Sequence, residues 1–305
     1  MRPILLIPVL AFLALFAFLA LGRRRVQAVV RVSRVVADLG RAEAFYRDGL
    51  GFLRMSTGPC DPALSAVLGL SHVRGDQVVM RLGCEEIALV RFGPPGAPYP
   101  AGSRSDNGWF QHLAIVVGDM EAAHRQLAAL GPQPISTQGA PVTLPPRNGG
   151  VSAFKFRDPD GHPLELIHFP AGQGRAVWAG RTELFLGIDH SAIAARRTAR
   201  SVRFYRRLGF SIAARSDNYG DPQSRLDGLV QACAQVTGLR PPASGSMGLE
   251  LLCYDPPGRV APRGPANDVV TDWVTLLVPG LPRPRLLWDP DGHRMLLVGQ
   301  ADMLA

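Results

Sequence analysis

Two glutamates and two histidines are the residues from which chemistry could be built. Glu165, in GHPLEL, and Glu250, in MGLELL, fall in strand-like segments. Alternate residues of a strand share a face, so Glu165 stands beside Ile167 and Phe169, and Glu250 beside Leu252 and Tyr254. A carboxylate on an otherwise apolar face needs a partner. His112, in FQHLAIVVGD, and His190, in GIDHSAI, are each followed two residues later by an alanine, Ala114 or Ala192, which leaves room beside the imidazole. Taken singly, each has an ordinary explanation: a strand Glu solvated at a sheet edge, a strand His bonded within a core. Two of each at matching places argue for a shared site.

The places match because the chain repeats itself. AFYRDGLGF (44–52) returns as RFYRRLGF (203–210), and DPDGH occurs at 158–162 and again at 289–293, with Glu165 three residues past the first copy and Leu296 past the second. Upstream of the first FY motif, the apolar strand VVRVSRVVADL ends at Asp38, an expected helix N-cap, and Ala42, Phe45 and Tyr46 follow at helical spacing. FQHLAIVVGDM repeats this order, with Asp119 as cap and Met120, Ala123, Leu127 and Leu130 as the apolar stripe. GIDHSAIAARRTARSVRFY repeats it again, with Thr198 as the expected cap. Each unit closes in β-like segments whose Asp-Gly turns suit hairpins. The spacing predicts βαβββ modules over 26–93, 108–170 and 185–255, separated by Pro/Gly-rich linkers. A fourth unit, 266–300, is truncated: only PGLPRPR separates its opening strand from LLWDPDGHRMLLV, leaving two or three strands and no helix.

Length gives a prior of roughly two domains. Of 33 basic residues all but Lys155 are Arg, and they are scattered, whereas nucleic-acid sites gather them on one face with aromatics between. The net charge of +8 invites a nucleic-acid reading, but this scatter argues against such a partner, and the charge is expected to favour an anionic small molecule. The four cysteines show no CxxC spacing, which excludes a zinc knuckle or a thioredoxin-like motif. Cys233 and Cys253 are expected on neighbouring strands, buried, or paired if the chain is exported. At the N-terminus, 3–21 is an uncharged apolar run long enough to span a bilayer as a hydrophobic helix. Arg23, Arg24 and Arg25 follow it, so residues 1–25 are expected to be an uncleaved membrane anchor with the globular part cytoplasmic. A signal segment exporting the chain to the periplasm, and a mis-assigned start, are the alternatives.

The order of strand, capped helix, FY-x-x-LGF and terminal DPDGHPLEL hairpin resembles the vicinal oxygen chelate superfamily, which includes glyoxalase I, methylmalonyl-CoA epimerase, extradiol dioxygenases and bleomycin-type resistance proteins. The resemblance covers 26–300. It implies an α+β fold in which βαβββ modules pair into curved mixed-sheet barrels around a metal or ligand. It also implies one metal ligand on the first strand of a module and another on the last. In module two these positions are His112 and Glu165, and in module three His190 and Glu250. Module one has Arg31 and Ala88 there, and module four Asp272 and Leu296. In chains resembling glyoxalase I, module two pairs with three and one with four; in those resembling extradiol dioxygenases, one pairs with two and three with four. The losses in modules one and four favour the first scheme, which would bring all four ligands together.

A His2Glu2 set suits a divalent ion such as Ni, Co, Mn, Fe or Zn, which ligand type alone does not distinguish. The resemblance to glyoxalase I implies a metal-dependent lyase or isomerase working through an enediolate on a small α-oxygenated carbonyl compound, a thiol adduct included. Glu165 or Glu250 would then be the catalytic base, and Arg147, in the loop LPPRNGG, is expected to bind an anionic end of the substrate. The alternatives are an extradiol-type Fe(II) dioxygenase, which needs two His and one carboxylate, and a protein that sequesters a toxic ligand without turning it over. None of His72, His124, His162, His168 and His293 is expected to be a ligand.

Overall fold

Local side-chain chemistry sets where the helices begin. In the computed structural model, which describes residues 25–260 and 264–303, Asp38 accepts a hydrogen bond from the Arg41 amide (3.0 Å) and Asp119 one from the Ala122 amide (3.0 Å). Each caps a helix at an end that would otherwise carry orphan donors. The first unit runs β1 (Ala28–Val35), α1 (Leu39–Ala44, continued as a π-helix over Phe45–Gly49), β2 (Leu53–Pro59), α2 (Pro62–Val67), β3 (Arg74–Leu82) and β4 (Glu85–Gly93). The second runs β5 (Gln111–Val117), α3 (Met120–Ala128), the short strands β6 (Gln133–Pro134) and β7 (Val142–Thr143), β8 (Ser152–Arg157) and β9 (Pro163–His168). The third has β10 (Phe185–Ala194), α4 (Thr198–Leu208), β11 (Ser211–Tyr219), α5 (Asp221–Asp227), β12 (Cys233–Arg240) and β13 (Gly248–Tyr254). The fourth has β14 (Asp272–Leu277), β15 (Arg285–Trp288) and β16 (Arg294–Val298). The apolar run 3–21 lies outside the described residues, among which no helix is long and apolar enough to cross a membrane.

Two mixed sheets result. One has the order β15-β16-β14-β1-β4-β3-β2 and the other β11-β12-β13-β10-β5-β9-β8-β6, with β7 also on β8. First and last long strands of each unit pair in parallel and all other pairs are antiparallel. The joins between units are β1 with β14 and β5 with β10, so the strands of the second and third units share a sheet, as do those of the first and fourth. Neither sheet closes, which corrects the expectation of barrels. Helix α5 packs against β7, β8 and β11, and so lies between the two ends of the larger sheet.

Thr198 is not a cap: α4 starts on it, and Arg197 before it makes no side-chain cap bond. The carboxylate of Asp291, from the second DPDGH, serves this end instead, accepting from the Arg196 amide (3.1 Å) and Ser201 Oγ (2.6 Å). Both DPDGH turns are structural devices. Asp158 accepts from its own turn amides and from the Tyr46 hydroxyl (3.1 Å), and Asp289 from its turn amides and the Tyr205 hydroxyl (3.0 Å). Each repeated FY motif is thus tied to the hairpin of the following unit. His162 and His293 close the turns, with Nε2 bonded to the carbonyls of Val269 and Ala194.

Strand alternation sorts side chains into two environments. Leu113, Ile115, Leu164, Leu166, Leu249 and Leu251 join the main core with Val32, Leu89, Val274 and Leu297 of the other sheet. The opposite faces differ between the sheets. In the smaller one Ala88, Trp273 and Leu296 belong to an apolar cluster with Leu68 and Leu70. Thr275 faces Leu296 as Ala114 faces Glu165 and Ala192 faces Glu250. The counterpart of the two histidines in the fourth unit is therefore Trp273, not Asp272. One place off in register, Asp272 turns instead to buried Arg34 (3.3 Å from Nε) and to His162. All four cysteines are free; Cys233 is exposed and Cys253 half-buried, where burial of both was expected.

Candidate metal centre

The face opposite the core in the larger sheet carries the four residues singled out by type and spacing. His112 comes from β5, Glu165 from its parallel neighbour β9, His190 from β10 and Glu250 from its parallel neighbour β13, and β5 and β10 lie side by side. Antiparallel register sets His112 opposite Ala192 and His190 opposite Ala114. The small residues give each imidazole its space, and the rings lie with centroids 5.7 Å apart. One ligand atom each from His112, His190 and Glu250 lies within 4.8 Å of the others. Glu165 Oε2 is 3.0 Å from His112 Nε2, and Glu250 Oε1 is 3.5 Å from His190 Nε2. His112, Glu165 and His190 are buried, whereas the Glu250 side chain keeps 23% of its surface exposed.

Both histidines fit a cation. Nδ1 of His112 is buried without a hydrogen-bond partner among the described residues, and Nε2 of each ring is buried with only a carboxylate beside it, Glu165 for His112 and Glu250 for His190; an unsatisfied buried polar atom costs about 1–3 kcal/mol. A divalent ion taking one lone pair from each ring, with the carboxylates as further donors, would satisfy one nitrogen of each imidazole, and the donor set suits first-row metals. Burial lowers His112 to about 4, despite the opposing pull of Glu165, so this ring is neutral as a ligand must be. Burial would also lower His190, but Glu250 and Asp189 outweigh it and raise the ring to about 9. The pocket thus draws positive charge to this point, as a proton or as a metal. Burial would raise Glu165, yet Lys155 and His112 hold it down at about 2, whereas burial keeps Glu250 above the usual carboxylate range.

Three supporting residues escaped sequence reasoning. Asp189 precedes His190, and neighbours in a regular strand point to opposite faces. Between Ile188 and His190, however, β10 carries one residue more than β5 opposite it, a β-bulge that re-aims the Asp189 side chain. Its Oδ2 accepts from His190 Nδ1 at 2.8 Å, and its Oδ1 from Arg240 Nη2 at 2.7 Å. A carboxylate holding the far nitrogen of a ligating imidazole fixes the tautomer that leaves Nε2 free. Gly248, paired with His190, admits this arrangement, because a Cβ there would collide with Arg240 Nη1. The other two are Lys155 and Asp227, joined by a buried 2.6 Å ion pair. Lys155 pairs with Glu165 across the first DPDGH hairpin, so its position was legible in the turn register.

A cavity of about 470 Å³ opens onto this face and is lined by Lys155, Glu165, His190 and Glu250 at its floor. Arg147 lies at its rim, exposed, over the Tyr219 ring (4.5 Å) and donating to the Tyr219 carbonyl (3.1 Å). A larger cleft of about 760 Å³ lies by Asp272 and His293 and touches none of the four candidate ligands. The imidazoles of His162 and His293 are tied up in their turns, His124 bonds the Gly139 carbonyl and His168 the Val117 carbonyl.

The fold has parallels among known proteins. No curated protein matches the chain in sequence. Among solved structures, a V278E mutant of glyoxalase I from Zea mays superposes with a TM-score of 0.64 at 16% identity, covering 95% of this chain and 98% of that one. Glyoxalase I from Zea mays itself gives 0.58 at 16% identity, covering 92% and 94%. A putative dioxygenase from Bacillus subtilis subsp. subtilis str. 168 gives 0.56 at 10% identity, covering 90% and 86%. At such identities the likeness is one of fold. Residues 28–166 match the sequence profile described as Glyoxalase/Bleomycin resistance protein/Dioxygenase superfamily.

Proposed function

We propose that the protein is a metal-dependent lyase or isomerase resembling glyoxalase I, acting on a small α-oxygenated carbonyl compound. The observation that carries this reading is the convergence of His112, His190 and Glu250 within 4.8 Å, with Glu165 against His112. These four residues would hold the divalent ion. When bound, such an ion supplies Lewis acidity toward a carbonyl oxygen. The chain supplies the base. Glu250 is the more exposed of the two carboxylates, and its raised proton affinity makes it the stronger acceptor for a proton from the carbon beside a carbonyl. Glu165, held ionised by Lys155 and His112, suits a permanent ligand. The apolar side of the cavity, with Leu144, Ile167 and Leu252, limits water at the reacting carbon.

The test is isotope exchange in D2O with the metal-loaded protein and α-hydroxy aldehydes or thiol hemiacetals. Deuterium should enter at the carbon beside the carbonyl, and Glu250→Gln should abolish that entry. Turnover without exchange would overturn the assignment. The close trio of two histidines and one carboxylate also fits the ligand set of non-haem Fe(II) oxygenases. Oxygen uptake with catechols by the iron-loaded protein would favour that reading, and tight binding of a ligand recovered unaltered would favour sequestration.

A further inference from the structure

Lys155 is the chain's single lysine and is 3% exposed. A buried ammonium without acceptors would be expensive, and Asp227 Oδ1, at 2.6 Å, keeps it charged. The Asp227 carboxylate is itself fully engaged, with Oδ2 accepting from Gln223 Nε2 (2.7 Å) and the Tyr254 hydroxyl (3.0 Å). Lys155 lines the cavity and Asp227 does not. An ammonium has three N–H donors, and only the one toward Asp227 is used among the described residues. A fixed cation with two spare donors therefore stands on the cavity floor beside Glu165, its partner in the hairpin register.

Resting on the metal-centre reading above, we propose that Lys155 is an anion-binding subsite for the substrate, and that the substrate is a 2-oxo or 2-hydroxy acid whose carboxylate sits on this ammonium. A divalent ion would neutralise Glu165 and Glu250, while Lys155 with Asp227 and Arg240 with Asp189 form neutral pairs. Nothing on the floor then repels a monoanion. An uncharged aldehyde or ketone would leave the two N–H groups unsatisfied, so the site discriminates against it. The volume of about 470 Å³ suits a small molecule.

The experiment titrates the full-length, Co(II)-loaded protein with pyruvate and with hydroxyacetone, its uncharged analogue, following the visible cobalt spectrum. Pyruvate should bind at least about tenfold more tightly, the worth of a charge-assisted hydrogen bond. Lys155→Met, compared at equal bound cobalt, should remove that preference, so that the two probes bind with similar affinity. Asp227→Asn, which keeps the ammonium but breaks the ion pair, should retain it; a purely structural pair would make the two variants alike and overturn the proposal. If Lys155→Met fails to fold, Lys155→Met/Asp227→Asn removes both charges together and should show the same loss. Equal binding of the two probes by the unmodified protein also overturns the proposal. Failure of the metal reading shows separately, as undiminished cobalt stoichiometry in His190→Ala. Calorimetry on the metal-free protein then decides: pyruvate binding that still depends on Lys155 keeps the subsite, and binding indifferent to it does not.

Discussion

Asp189→Asn isolates the contribution of the residue that orients His190. The two oxygens of Asp189 have separate duties, Oδ2 toward His190 Nδ1 (2.8 Å) and Oδ1 toward Arg240 Nη2 (2.7 Å). An amide of the same shape has one acceptor, so it can serve only one of them. If its oxygen stays with Arg240, its NH2 faces Nδ1 and selects the tautomer with the proton on Nε2, which cannot ligate. If its oxygen turns to His190, the NH2 meets Arg240, and the negative charge that supports the imidazole is lost in either case. Loss of such an outer partner typically costs 10- to 100-fold in metal affinity, or about 1–3 kcal/mol. Competition calorimetry with Zn(II) and a chelator on the full-length protein measures this directly. Gly248→Ala, which displaces Arg240 without touching either ligand, should lower affinity in the same direction by a smaller factor. Unchanged affinity in Asp189→Asn, with His190→Ala strongly impaired, would refute the reasoning.

Tyr46→Phe and Tyr205→Phe should each destabilise the fold by about 1–3 kcal/mol in urea unfolding, since each strips a donor from a buried Asp. Tyr46→Phe should cost more, because Arg34 Nη1 also loses its acceptor there. Stability should fall in acid. Burial would raise Asp158, but His162 and Arg34 hold it at about 2, below the ordinary 3.8; its contribution, on the order of 2 kcal/mol, is present above pH 3.8 and lost as pH falls through 2. His162 runs the other way: burial would lower it, Asp158 raises it, and its contribution is present below the unfolded value near 6.5 and lost as pH rises through the folded one. Urea midpoints against pH check both, and Asp158→Asn should flatten the acid limb. Leu296→Glu should not create a second metal site, because Trp273 and Ala88 offer no ligand there; the buried carboxylate should instead destabilise the fold by several kcal/mol, read as a lower melting temperature with unchanged metal content.

The repeats made the strand order and the placing of the four candidate ligands legible, because alternation and the distance to a capping Asp are local signals. What stayed hidden depended on relations that local pattern does not carry. The bulge that turns Asp189 toward His190 follows from the pairing of β10 with β5, which sequence period cannot register. Asp272 was misplaced because the fourth unit has no capped helix to count from; the β14 and β16 register puts Trp273 at the histidine position. Thr198 fails as a cap because the carboxylate of Asp291, 90 residues beyond Ser201, already occupies that end. Helix α5, which packs between β11 and β7/β8 of the larger sheet, stayed unseen because seven residues are too few to give a clear periodic signal. The Lys155 and Asp227 pair needed both the hairpin register and α5 to be seen.

Metal content decides the central claim most directly. Elemental analysis of the full-length protein after loading and desalting should find one divalent ion per chain, lost or sharply reduced in His112→Ala, His190→Ala and Glu165→Ala and weakened in Glu250→Ala. A protein that retains no ion, or one whose stoichiometry survives all four substitutions, would contradict the account.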